Sequence, residues 1–130
     1  MTAVVDHLLD GYERDLAARL TTTNSNVPTI SERLAAYVDW ACDGPFDYGD
    51  LVMFTDPRLR EPLTERWNSR MGAWVDVPET LPADQRARLH GVRLLADGIW
   101  LNTAGNGIAL SDEDTDAIRA LAHHLIQENS

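Results

Sequence analysis

Several groups of residues in this chain have side chains of the kind that chemistry uses, and their spacing decides what each can do. Asp112-x-Asp114-x-Asp116 begins like a calcium loop, which needs glycine at its sixth position and a bidentate glutamate at its twelfth. Ala117 and His123 stand there instead. The same acids suit the first turn of a helix, whose dipole favours negative charge. His123 and His124 are adjacent, so on a helix they point about 100° apart and cannot share one metal ion. Cys42 is the lone cysteine and has no nucleophile motif around it, so it reads as a small buried apolar group. No serine lies in a Gly-x-Ser-x-Gly elbow, and no glycine-rich loop is built to cradle phosphate. Carboxylate pairs such as Asp47 and Asp50 are expected by chance among twenty-one acids. The expectation is a protein that is not an enzyme and carries no metal or cofactor.

The second group is aromatic. Trp40, Phe46, Tyr48, Phe54, Trp67, Trp74 and Trp100, joined by Met53 and Met71, exceed what one small core obviously needs. Stripes of large residues at helical spacing are mostly core. The residue kinds also match a small-molecule pocket, which is largely apolar with a few placed polar groups. Arg70, set inside an apolar stripe, and Arg93, one turn above Asp97, are the polar candidates. The plainer readings are snorkelling for Arg70 and an ordinary i,i+4 pair for Arg93 and Asp97. The candidate ligand-binding set is therefore Trp40, Phe46, Tyr48, Met53, Phe54, Trp67, Arg70, Met71, Trp74 and Arg93.

The elements that must position these residues are helices. Apolar residues recur at helical spacing in every long segment, and the expected class is all-α, with five long helices and one short one. Thr2 opens a helix whose stripe is Val5, Leu8, Leu9, Tyr12, Leu16 and Leu20. Thr29-x-x-Glu32 has capping-box form ahead of Ile30, Leu34, Tyr37, Val38 and Ala41, and Asp43-Gly44-Pro45 stops that helix. Trp40 lies about 120° off that stripe and so faces something else. A short helical turn is expected near residues 50–54. Asp56-Pro57 reads as a further helix start, with Pro62 forcing a kink or a fresh start. The stripe after it is Leu63, Trp67, Met71, Trp74 and Val75.

The last third, residues 84–127, reads as two helices joined by a Gly/Asn-rich turn, with Ser111 and Asp114 capping the second. The first of the pair is apolar on two sides. Leu89, Val92, Ala96, Ile99, Trp100 and Thr103 form one stripe, while Ala87, Leu94 and Leu101 cluster nearly opposite. The final helix carries Ile118, Leu121, Ala122, Leu125 and Ile126 on one face, and small Ala117 and Ala120 beside His124 on another flank. A helix that must hide two faces needs two partners. The expectation is that one face packs on the rest of the chain and the other on a second copy, through Leu94, Leu101, Ala117, Ala120, Leu121 and His124.

Composition limits the partners. A chain of 130 residues suits one domain, and 44% apolar content with four tryptophans supplies its core. The net charge is −10, and the eleven basic residues, all arginine, are scattered among the acids. A duplex binder needs a basic stripe to displace counterions, so these residues should not contact nucleic acid. An acidic surface also disfavours anionic membranes, and no apolar run approaches the roughly 20 residues of a span. With no signal pattern at the N-terminus, a cytoplasmic location is expected.

The order of parts resembles a known family. Leu94-Leu95-Ala96-Asp97-Gly98-Ile99-Trp100-Leu101, the Asn106-Gly107 turn, the Ser-capped acidic start and Ala117-Ile118-Arg119-Ala120-Leu121 are similar to the C-terminal half of tetracycline-repressor-like (TetR family) transcriptional regulators. Val5-x-x-Leu8-Leu9-x-x-Tyr12-x-x-Asp15-Leu16 resembles the helix that follows that family's DNA-reading module, and Asp56-Pro57-x-Leu59-Arg60 is also similar. The resemblance implies one effector-binding and homodimerising domain over residues 1–130, whose last two helices form a four-helix bundle with a partner's. It implies an unknown small-molecule effector and a repressor as the parent. The family's helix-turn-helix is absent here, so DNA would be reached only through a missing N-terminal domain. The rival readings are a free-standing dimeric scaffold, an anti-repressor that pairs with a full-length relative, and a small helical enzyme.

Overall fold

The computed structural model describes residues 2–20, 28–43, 60–104 and 107–127, and every regular element among them is an α-helix. These are α1 (Thr2–Ala18), α2 (Ile30–Asp43), α3 (Arg60–Val75), α4 (Ala83–Ala104) and α5 (Asp112–Gln127). The expected short helix near residues 50–54 and the Asp56-Pro57 start lie outside the described residues.

Local chemistry explains the ends. At the start of α2 the Thr29 hydroxyl accepts the Glu32 amide at 3.1 Å, and Glu32 accepts the Thr29 amide at 3.0 Å. This is the reciprocal capping box that Thr-x-x-Glu specifies. Ser111 caps α5 by accepting the Asp114 amide at 3.0 Å, and Asp112, Glu113 and Asp114 fill that helix's first turn. Pro62 is the third residue of α3, in the first turn, where its missing N–H costs no ladder bond. The helix runs on from there without a second start.

The geometric centre is α2 rather than the C-terminal hairpin. It packs against each of the other four helices, while α1 also meets α3 and α4 meets α5. Its sequence allows this because two sides are apolar: Leu34, Tyr37, Val38 and Ala41 bury on one, Ala36 and Trp40 on the other. Around it gather Leu9 and Leu16 of α1, Met71 and Val75 of α3, Leu89, Val92, Ala96, Ile99 and Trp100 of α4, and Ala122 and Ile126 of α5. At about 1.5–3 kcal/mol for each large apolar side chain removed from water, this cluster is the main source of stability. No described polar or charged residue is buried.

Five aromatic rings tie four of the helices together. Trp40 lies 5.2 Å from Tyr12, 5.6 Å from Tyr37 and 6.5 Å from Trp100, measured between ring centroids. Trp67 completes the group, 6.1 Å from Tyr12 and 5.4 Å from Trp100. Trp40 leaves the main stripe of its own helix because it reaches toward α1 and α4. Among the described residues, no helix is long and apolar enough to cross a membrane.

Candidate functional site

The ten ligand-binding candidates divide by where the helices carry them. Trp40 and Met71 are buried in the core, and Trp67 packs against it from a half-buried position. Trp74 lines an open hollow of about 460 Å³ between α1 and α3, together with Asp10, Glu13, Arg14 and Ala17. Arg93 pairs with Asp76 at 3.3 Å, not with Asp97 as its i,i+4 spacing suggested. Phe46, Tyr48, Met53 and Phe54 lie outside the described residues.

Arg70 does not snorkel into solvent. Its guanidinium donates to Glu13 at 3.1 and 3.0 Å, to Asp10 at 2.5 Å and to the Asp6 carbonyl at 3.2 Å. One turn earlier Arg66 donates to Asp6 at 2.6 Å. Asp6, Asp10 and Glu13 form one face of α1, and Arg66 and Arg70 form the matching face of α3. The hydrogen bonds from Glu13 and Asp10 push the Arg70 guanidinium's pKa further above its usual value. Arg70 is therefore a clamp between two helices.

A second set of matched charges joins α2 to α5. Arg119 donates to Asp43 at 2.5 Å, His123 lies 2.9 Å from Asp39, and Arg19, just past α1, donates to Asp43 at 3.2 Å. Partial burial raises the Asp43 pKa, but hydrogen bonds and charge from Arg119 and Arg19 outweigh it and hold the carboxyl below its ordinary value. The spacing signal for both sets was present in the sequence: acids at i and i+4 on one helix, basic residues at i and i+4 on another. What the sequence lacks is which helix faces which.

The polar centre of the fold is Tyr37. Its hydroxyl donates to Asp97 and accepts the Trp100 indole N–H at 3.2 Å. Burial first, then the charge and hydrogen bond of Asp97, push the phenol well above its usual pKa, so it stays protonated. Asp97 thus accepts the tyrosine's hydroxyl hydrogen, while Arg93 on the same helix pairs with Asp76.

The six residues expected at a second copy share one property. Leu94 is 68% exposed, Leu101 42% and Leu121 52%, and Ala117, Ala120 and His124 are exposed as well. Leu121 shares the apolar stripe of α5 with the buried Ala122 and Ile126, yet it stands at the edge of that stripe in solvent. Two glycines complete the α4 side. Gly91, Leu94, Gly98 and Leu101 recur at helical spacing along one face, and a Cβ built on either glycine meets nothing within 4 Å. Glycine inside a helix costs about 1 kcal/mol relative to alanine, and nothing among the described residues explains that cost. Thr103, expected on the inward stripe, is also exposed.

No protein-family model, curated protein or solved structure matches the chain. Among the described residues, no group of three His, Cys, Asp or Glu is placed to hold a metal ion.

Proposed function

We propose that this chain is the ligand-sensing, homodimerising regulatory domain of a TetR-type transcriptional regulator, acting as a repressor in the cytoplasm. The observation that carries the reading is the outward face of the α4–α5 hairpin. Large apolar side chains stand in water beside glycines with open space above them. A monomer gains nothing from that pattern. A second copy would cover Leu94, Leu101 and Leu121, and the glycines and alanines would let backbones approach closely. The aromatic core joins this hairpin to α1, so a ligand that favours one packing of the core would alter how two copies sit together. The shift available is limited to the ligand's difference in affinity between the two arrangements. With a charge of −10, the domain would act on DNA through a separate reading module rather than by touching it.

The test is sedimentation of Leu101→Glu and Ala120→Arg beside the parent chain, with circular dichroism to confirm helicity. Both variants should fall to the mass of one chain while remaining helical. Dimers of unchanged mass in both would move the interface elsewhere and remove the support for this reading.

A further inference from the structure

A cavity of about 420 Å³ opens where the C-terminal ends of α2 and α4 meet the stretch leading into α5. Its floor is Ile99, Asn102 and Thr103 of α4, one side is Cys42 in the last turn of α2, and the far wall is residues 107–110 with Thr115 of α5. None of the described ligand-binding candidates, Trp40, Trp67, Arg70, Met71, Trp74 and Arg93, belongs to it. The wall is held in place by one side chain. The Asn102 amide donates to the Ile108 carbonyl at 2.9 Å and its oxygen accepts the Ile108 amide at 2.7 Å. The Asn102 carbonyl also accepts the Gly107 amide at 2.9 Å. This pinning keeps the wall from collapsing onto α4, although Ile108 is left 76% exposed and Leu110 38% exposed.

We propose that this cavity is a binding site for a small, uncharged, largely apolar molecule bearing one hydroxyl or carbonyl group. The volume falls within the range of small-molecule sites, roughly 300–1,000 Å³. Among the described residues no ionised side chain lines it, and Arg119, which reaches the Cys42 thiol, is already paired with Asp43, so a charged ligand would lose its hydration without a free counter-charge. Ile99, Ile108, Ala109 and Leu110 supply the apolar lining, and a ligand would cover exposed surface of the last three. The hydroxyls of Thr103 and Thr115 and the Cys42 thiol supply the polar contacts. Thr103 already donates to the Ile99 carbonyl at 3.0 Å, which leaves its oxygen free to accept. The site does not depend on self-association, so a chain that proved monomeric would leave it standing.

Cys42 is the lone cysteine, so its alkylation reports on this cavity alone. Burial raises the thiol's pKa against the pull of Arg119, so the reaction with iodoacetamide is followed at mildly alkaline pH. The probes are p-cresol, cyclohexanol and indole as neutral molecules, with benzoate and octanoate as charged controls. A neutral probe at ten times its dissociation constant should slow alkylation about tenfold, while the controls leave it unchanged. Ala109→Trp, which fills the cavity, should abolish binding of the same probe by calorimetry with its circular dichroism unaltered. The proposal is overturned if Cys42 does not react in the folded chain, if no neutral probe protects it, or if the charged controls protect equally. Protection that rises with protein concentration instead of probe concentration would assign the wall to a second copy and overturn it too.

Discussion

Replacing both Gly91 and Gly98 with alanine separates a solitary domain from a shared one by the sign of its effect. Among the described residues of a single chain, each new methyl meets nothing within 4 Å. Each substitution should then gain the helix-propensity difference, so the pair would stabilise a monomer by about 2 kcal/mol. For a domain of this size that corresponds to a rise in Tm of roughly 6–10 °C. If the glycines exist to admit a partner's backbone, the same two methyls occupy the contact. The dimer should weaken by a factor of about 10 or more, since each 1.4 kcal/mol of lost affinity is tenfold. The assay is calorimetric Tm against protein concentration, paired with sedimentation at each concentration. The account predicts that the variant's Tm exceeds the parent's when dilute and that this advantage shrinks or reverses as concentration rises. A uniform gain of about 2 kcal/mol at every concentration, with self-association unchanged, would refute the argument.

Tyr37→Phe removes a donor to Asp97 and the acceptor of the buried Trp100 N–H, so it should cost about 2–4 kcal/mol by urea unfolding at neutral pH. Because the folded phenol's pKa is raised, this stability is fully present below the unfolded value of 10.0 and fades as pH climbs past it, so parent and variant should converge in strong alkali. Asp43→Asn tests the opposite sign. The folded carboxyl lies below its ordinary 3.8, so its contribution is present above that value and lost as pH falls through the folded pKa. Because Asp43 is partly exposed, the stability difference measured by urea unfolding should be small at pH 7, under about 1 kcal/mol, and should close as pH falls below the ordinary 3.8. Gly107→Ala places a Cβ 2.1 Å from the Asn102 oxygen that pins Ile108, so Asn102 must release it at a cost of about 1–2 kcal/mol, read as a lower Tm and faster amide exchange at Ile108.

How much of this was legible in the sequence depended on the range of the interaction. The Thr29–Glu32 box and the Ser111 cap are local, and their spacing named their partners before any fold was known. The two-sided character of α4 followed from period alone, because Leu94 and Leu101 fall opposite Leu89, Val92 and Ala96 whatever else is present. The centrality of α2 was visible only as a hint, in Trp40 lying off its stripe; four neighbours cannot be assigned from one helix's own pattern. Arg70 shows the same boundary. Its place in an apolar stripe was plain, but its true surroundings, Asp10 and Glu13, are about 60 residues away and become relevant only when α1 lies beside α3. Arg93 and Asp97 were paired by spacing and separated by geometry, since Tyr37 and Asp76 offered each a different partner. The cavity at Cys42 had no sequence signature, because three segments from different parts of the chain enclose it.

Sedimentation equilibrium of the unmodified chain over a range of concentrations tests the central claim most directly. A shared hairpin predicts a mass approaching twice the 14.5 kDa of one chain as concentration rises into the tens of micromolar. A constant mass of one chain up to the solubility limit, with Leu94, Leu101 and Leu121 still in water, would contradict it.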